Sequence, residues 1–239
     1  MSDPLRIALV AEGPTDKIVI EASIRRLLGD TPFIIQQLQP EESLAFLDPR
    51  LGTGWGGVYR WCQKAIKRSR GNIQSDILFN TYKLLILHLD ADVGSQTYTE
   101  AGIEDLANDL PCARPCPPPS DTTNPLRAVL LRWIGLPNDP PSILFCTPSV
   151  NTEAWMLSAL YQSDAIATGG QIECYVATQS RLQSKPAAGR VISGGKKQVM
   201  RYKERAKDIA AAWEVVRARC TEAARFSHEF NTKLAIMGL

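Results

Sequence analysis

Histidine is nearly absent from this 239-residue chain, with only His88 and His228. Cysteine is present six times but without a metal-binding pattern: Cys112 and Cys116 form one C-x3-C pair in a proline-rich stretch, and no second pair accompanies it. A structural zinc site needs four well-placed ligands, so zinc is not expected. Scattered free thiols in a reducing compartment are the expectation instead. Long apolar runs are missing too, none approaching the roughly 18 residues that read as a bilayer span. The opening segment "MSDPLRIALV" passes straight into a strand pattern without a secretory leader's basic and apolar regions. A cytoplasmic location and no membrane partner are therefore expected. No G-x-x-x-x-G-K-[ST] phosphate loop occurs, so ATP-driven work would have to come from another subunit. There is no internal repeat.

What is present is an ordinary globular composition, 44% hydrophobic and 22% charged, in a chain long enough to bury a substantial core. The net charge of +2 hides an asymmetry. Residues 1–180 carry 14 basic and 20 acidic side chains, whereas residues 181–239 carry 13 basic and 5 acidic. A basic last quarter on an acidic body fits either a polyanion-binding surface or solvated helical faces.

Several short apolar runs read as buried strands. "LRIALVA" (5–11) is too apolar to be half exposed, as expected in a parallel sheet covered on both faces. Gly13-Pro14 breaks it, and a helix follows from about Thr15 with Ile20, Ile24, Leu27 and Leu28 as its buried stripe. "FIIQQLQ" (33–39), "KLLILHLD" (83–90) and "SILFCTP" (142–148) read as further strands. Helices are expected after "GTGWGG" (52–57), in "LRAVLLRWIG" behind a six-proline loop at 111–125, and from Asn151-Thr152. The alternation predicts an α/β fold with a mostly parallel sheet. We expect a core at 1–165 and a basic, mainly helical extension at 166–239, helical from Lys196 to Phe226.

Two strand ends carry acids. The first stops on Glu12; the third runs into Asp90 and Asp92. In an extended chain, residues i and i+2 point to one side, so Asp90 and Asp92 are expected to reach a common point with Ala91 turned away. If the first and third strands are neighbours, three carboxylates converge on one rim. A divalent cation would neutralise them, and oxygen-only ligation selects Mg2+ or Mn2+. Such a cluster suits phosphoryl transfer or phosphodiester hydrolysis. The bland alternatives are an acid favoured at a helix N-terminus for Glu12 and an Asx-turn for D-x-D.

"ALVAEGPTD" followed at a distance by "LLILHLDAD" resembles the TOPRIM domain, with its glutamate after the first strand and D-x-D after the third. The form "EGPTD" is most similar to small stand-alone proteins related to OLD-type and RloB-like nucleases of prokaryotic defence. "SVNTEAWMLSAL" (149–160) resembles the segment after the fourth strand in those groups. The resemblance covers about residues 5–165 and consists of short motifs in the right order. It implies a TOPRIM-like sheet, metal binding by Glu12, Asp90 and Asp92, and an assisting role for Glu153. The bland reading of Glu153 is a first-turn acid in a helix capped by Asn151 or Thr152. Asp16 stands where a glutamate is common in the family. The implied activity is a Mg2+- or Mn2+-dependent nuclease acting on DNA or RNA, working beside an ATPase or sensor subunit and in an oligomeric assembly. Two rivals stay open: a non-catalytic nucleic-acid or partner-binding module, and a phosphohydrolase or phosphotransferase of small nucleotides.

A nuclease needs cations for the phosphates. Lys196, Lys197, Arg201 and Lys203, after Gly194-Gly195, are the expected nucleic-acid contacts, with the basic helix of Arg60, Lys64, Lys67, Arg68 and Arg70 as a second source. Trp55, Tyr59 and Tyr202 would either stack on bases or, more commonly for such spacing, belong to the core. His88, inside a buried strand, reads as a hydrogen-bonded structural histidine.

Overall fold

The protein is described from a computed structural model covering residues 3–40, 52–105 and 107–239. The first two residues of the segment read for a leader lie outside it. In chain order the elements are β1 (Leu5–Val10), α1 (Pro14–Leu28), β2 (Phe33–Gln39), α2 (Gly54–Arg68), β3 (Leu84–His88), α3 (Ser120–Trp133), β4 (Ile143–Cys146), α4 (Glu153–Leu160), α5 (Ala165–Thr168), α6 (Thr178–Gln183), β5 (Ile192–Ser193), β6 (Lys196–Lys197), α7 (Val199–Ala211), α8 (Trp213–Arg219) and α9 (Thr221–Ile236).

β1–β4 form one all-parallel sheet in the order β2-β1-β3-β4. Helices cover both faces, a Rossmann-like arrangement. Successive strand residues point to opposite faces, and each strand accordingly feeds two cores. Ile7, Leu9, Leu84, Ile86, Leu144 and Cys146 pack with α1, α4 and α7–α9 on one side. Ala8, Val10, Leu85, Leu87, Ile143 and Phe145 pack with α2 and α3 on the other. The double burial explains why these strands are continuously apolar.

The residues after 165 contribute Tyr202, Trp213, Phe226 and Phe230 to the same cluster as Ile7 and Trp155. Trp155 meets Trp213 edge-on at 5.5 Å and lies 6.1 Å from Phe226. Among the described residues no helix is long and apolar enough to cross a membrane.

Three local expectations are corrected. α3 begins at Ser120, so Pro125 lies inside it rather than ending a loop. Its first turns are tied down by Thr123, whose buried hydroxyl donates to Glu222 at 2.9 Å. Lys196 and Lys197 are not helical: they form β6, paired antiparallel with β5, and the helix starts at Val199. Gly194 and Gly195 have φ of 56° and 72°, the positive values that a two-residue hairpin turn of the favoured hand requires. Finally, the cysteines are not all free thiols. Cys116 is disulfide-bonded to Cys174 with a Cα separation of 5.4 Å, while Cys62, Cys112, Cys146 and Cys220 are free.

Candidate metal centre

In an open parallel sheet, ligands bind beyond the carboxyl ends of the strands, at the point where the strand order reverses direction. Here that point lies between β1 and β3, since β2 extends the sheet one way from β1 and β3 and β4 extend it the other. Glu12 follows β1 and Asp90 follows β3, and the strands pair in register from Ile7↔Leu84 to Val10↔Leu87. The two acids are thus delivered side by side. Glu12 Oε1 accepts the Asp90 backbone N–H at 2.8 Å.

His88, the last residue of β3, projects into the same place. Glu12, His88 and Asp90 each offer one ligand atom within 4.8 Å of the others. His88 is fully buried, and neither ring nitrogen has a hydrogen-bond partner among the described residues. Its Nε2 lies 3.1 Å from Asp90 Oδ1, close in distance but not aligned as a hydrogen bond. The expectation of a satisfied structural histidine is therefore corrected.

A second row of groups surrounds these three. Asp16, in the first turn of α1, is almost fully buried and accepts the Thr152 hydroxyl at 2.7 Å. The Thr152 N–H donates to Asp90 Oδ1 at 3.2 Å. Thr152 and Asn151 were candidate caps for α4, but that helix has no side-chain cap. Thr152 serves Asp16, and Asn151 Oδ1 accepts from Thr178 at 2.8 Å. Next to them Val150 sits at φ 59°, a left-handed conformation rare for a β-branched side chain and characteristic of strained functional loops. Its carbonyl accepts the Asp92 N–H at 3.1 Å, and Pro148 O accepts the Ala91 N–H at 2.9 Å. These bonds lock the β3 and β4 exit loops together.

Glu153 opens α4 and has no solvent exposure. Its Oε1 accepts from Lys197 Nζ at 2.8 Å and from Tyr202 OH at 2.9 Å, and its Oε2 from Gln179 at 3.4 Å. Lys197 reaches the site because the β5–β6 hairpin aims it inward, while its neighbour Lys196 is exposed.

Asp92 lies in a turn of 3-10 helix, Ala91–Ser95, immediately after Asp90. The extended-chain argument for D-x-D thus does not apply past Asp90. The Asp92 side chain opens to solvent on the wall of a cleft of about 670 Å³. Ser149, Asn151, Gln179, Arg114 and the Cys116–Cys174 bridge also line this cleft.

The electrostatics follow from burial and crowding. Burial pushes the Glu12 carboxyl well above its ordinary range, with Asp90 and Asp16 adding to the push and His88 opposing it. Burial also raises Asp90, reinforced by Asp16, Glu153 and Asp92 and opposed by Lys197. Asp92, though open to the cleft on one side, is raised to about 6 by partial loss of solvent against the cleft wall and by Glu153, against the pull of Lys197 and His88. Burial alone would lower Lys197, but Glu153, Asp16 and Asp90 outweigh it and hold its ammonium protonated.

The other cations are placed differently. Arg201 pairs with Glu204 at 3.0 Å on the surface of α7. Lys203 lines a groove between α1 and α7 with Lys17, Arg25 and Lys207, where Glu21 also lies and pairs with Arg25 at 3.0 Å. On α2, Arg68 is committed to Asp76 at 2.7 Å and Arg60 donates to Ala101 O at 2.7 Å. Tyr202 is fully buried against Glu153. Trp55 and Tyr59 pack around Trp133 and Tyr98, with ring centroids 5.3–6.2 Å apart. Tyr202 therefore belongs to the interior, while Trp55 and Tyr59 are half-buried at the edge of the core.

Sequence reasoning overlooked Asp16 and Thr152 as members of the cluster and gave His88 a passive part. The hairpin had a readable signal in Gly194-Gly195 directly after the run Val191-Ile192-Ser193. No protein-family model, curated protein or solved structure matches the chain.

Proposed function

We propose that this protein is a divalent-metal-dependent nuclease of TOPRIM type that hydrolyses phosphodiester bonds in DNA or RNA. The observation that carries the reading is the meeting of Glu12 and Asp90 at the switch point between β1 and β3. A carboxylate pair this close, with Asp90 buried and Glu12 half-buried, is electrostatically unfavourable without a counterion, as the raised Glu12 and Asp90 carboxyls indicate. The donors fit a small divalent ion, and Mg2+ or Mn2+ is the proposed cofactor. When bound, it would polarise a phosphoryl group and lower the pKa of a water molecule.

The chain's own residues take the remaining work. Glu12 and Asp90 hold the ion, and Asp16 orients Thr152, whose N–H steadies Asp90. Glu153 acts through Lys197, fixing the ammonium beside the carboxylates where a scissile phosphate would need a positive partner. Asp92, with a carboxyl near 6 on the cleft wall, is suited to exchange a proton with a reacting water close to neutrality. Lys196, Arg201 and Lys203 lie outside this centre and are proposed to hold the nucleic-acid backbone, Lys203 through the basic groove with Lys17, Arg25 and Lys207. By resemblance the setting would be prokaryotic antiviral defence, beside an ATPase or sensor subunit.

The test is cleavage of a panel of single- and double-stranded DNA and RNA with Mn2+, Mg2+ or EDTA. Metal-dependent cutting by the wild type, lost in Glu12→Ala, is the expected result. Absence of cutting across the panel, with candidate partner subunits added, would favour a non-catalytic binding module instead.

A further inference from the structure

We propose that His88 is itself a metal ligand through Nε2, so that the centre has a mixed nitrogen and oxygen donor set and prefers Mn2+ to Mg2+. This rests on the metal-dependent reading above and goes beyond it. The resemblance supplies only carboxylates, and it assigns nothing to the histidine two residues before Asp90.

Three observations carry the inference. First, the burial of His88 is complete and both ring nitrogens lack hydrogen-bond partners among the described residues. A buried imidazole without a hydrogen bond loses its hydration with nothing in return. Such orphaned groups call for a missing partner. Second, its ligand atom belongs to the same 4.8 Å group as those of Glu12 and Asp90. Third, the 3.1 Å approach of Nε2 to Asp90 Oδ1 is not an aligned hydrogen bond. It does match two neighbouring ligands on one ion: bonds of about 2.1–2.2 Å at right angles put their donor atoms about 3.0 Å apart.

An imidazole changes the ion chosen. Mg2+ takes oxygen and keeps its waters, whereas Mn2+ and later transition ions accept nitrogen readily. The chain holds only one other histidine, His228, which is exposed on α9, so assignment is straightforward.

The experiment is electron spin-echo envelope modulation on Mn2+ bound to wild-type protein made with 14N- or 15N-histidine, with His228→Gln as the assignment control. No substitution at His88 is needed, so a folding failure cannot obscure the answer. The expected result is histidine nitrogen coupling that changes with the isotope and persists in His228→Gln. In parallel, His88→Gln should weaken Mn2+ about tenfold or more and Mg2+ by much less. Mn2+ bound in a Glu12-dependent way without nitrogen coupling would overturn the role of His88 and leave the carboxylate centre standing. No Mn2+ binding, or binding indifferent to Glu12→Gln, would overturn both the inference and the metal reading beneath it.

Discussion

Replacing Asp90 with asparagine should make the metal-free protein more stable while abolishing its metal site. The side chain is nearly isosteric, and an amide oxygen can still accept the Thr152 N–H now 3.2 Å from Oδ1. What is lost is a negative charge that burial, Asp16, Glu153 and Asp92 all oppose. Two unit charges 4.8 Å apart, the limit of the Glu12–His88–Asp90 group, repel by roughly 3 kcal/mol at an effective dielectric near 20. Part of that repulsion is already avoided, because the raised carboxyls hold protons for a fraction of the time. A net gain of about 1–2 kcal/mol remains, or about 2–8 °C in Tm for a chain of this size. Thermal unfolding in EDTA reads it directly. In Mn2+ the order should reverse, since only the wild type gains from binding. An Asp90→Asn variant less stable than wild type in EDTA would refute the reasoning, because it would make Asp90 a structural acid rather than one held at a cost in stability for function.

Lys197 and Glu153 should behave as a coupled pair: Lys197→Met and Glu153→Gln should each destabilise by about 2–4 kcal/mol, and the double variant by clearly less than their sum. Additive effects in urea unfolding would show that the 2.8 Å contact is energetically empty. Cys116→Ser should lower stability by about 2–4 kcal/mol, since the bridge closes a loop across a separation of 58 residues; an unchanged urea midpoint under non-reducing conditions would rule that out. In EDTA, stability should fall as pH rises from about 4 through 6. The folded state there loses protons from Asp92, Glu12 and Asp90 that the unfolded chain has already released. Below about 4 the trend should turn, because Lys185, the Ile166 N–H and Arg181 hold Asp164 near 2 against the opposing effect of burial, and stability is lost as it protonates. A Tm that climbs steadily from pH 4 to 8 without metal would contradict this account.

The strands were legible because double burial leaves an unmistakable apolar run, and acids at the ends of "LRIALVA" and "KLLILHLD" stand out against it. The adjacency of β1 and β3, which brings Glu12 to Asp90, is not written in the sequence, since strand order is a tertiary fact. The period-two argument for Asp90 and Asp92 fails for a local reason: the chain leaves the extended form at Ala91. Asp16 was visible only as a variant of a familiar position; its place in the cluster depends on Thr152, 136 residues away. His88 looked passive because a histidine in an apolar strand usually finds a partner, and whether it does is invisible in one dimension. The Cys116–Cys174 bridge was obscured in the same way, by a separation of 58 residues and a nearer decoy at Cys112.

The most direct test of the central claim is equilibrium titration of the purified chain with Mn2+. One equivalent bound by the wild type, lost in Glu12→Gln and in Asp90→Asn, is the predicted result. Failure to bind, or equal binding by all three proteins, would contradict the assignment of this rim as a metal centre.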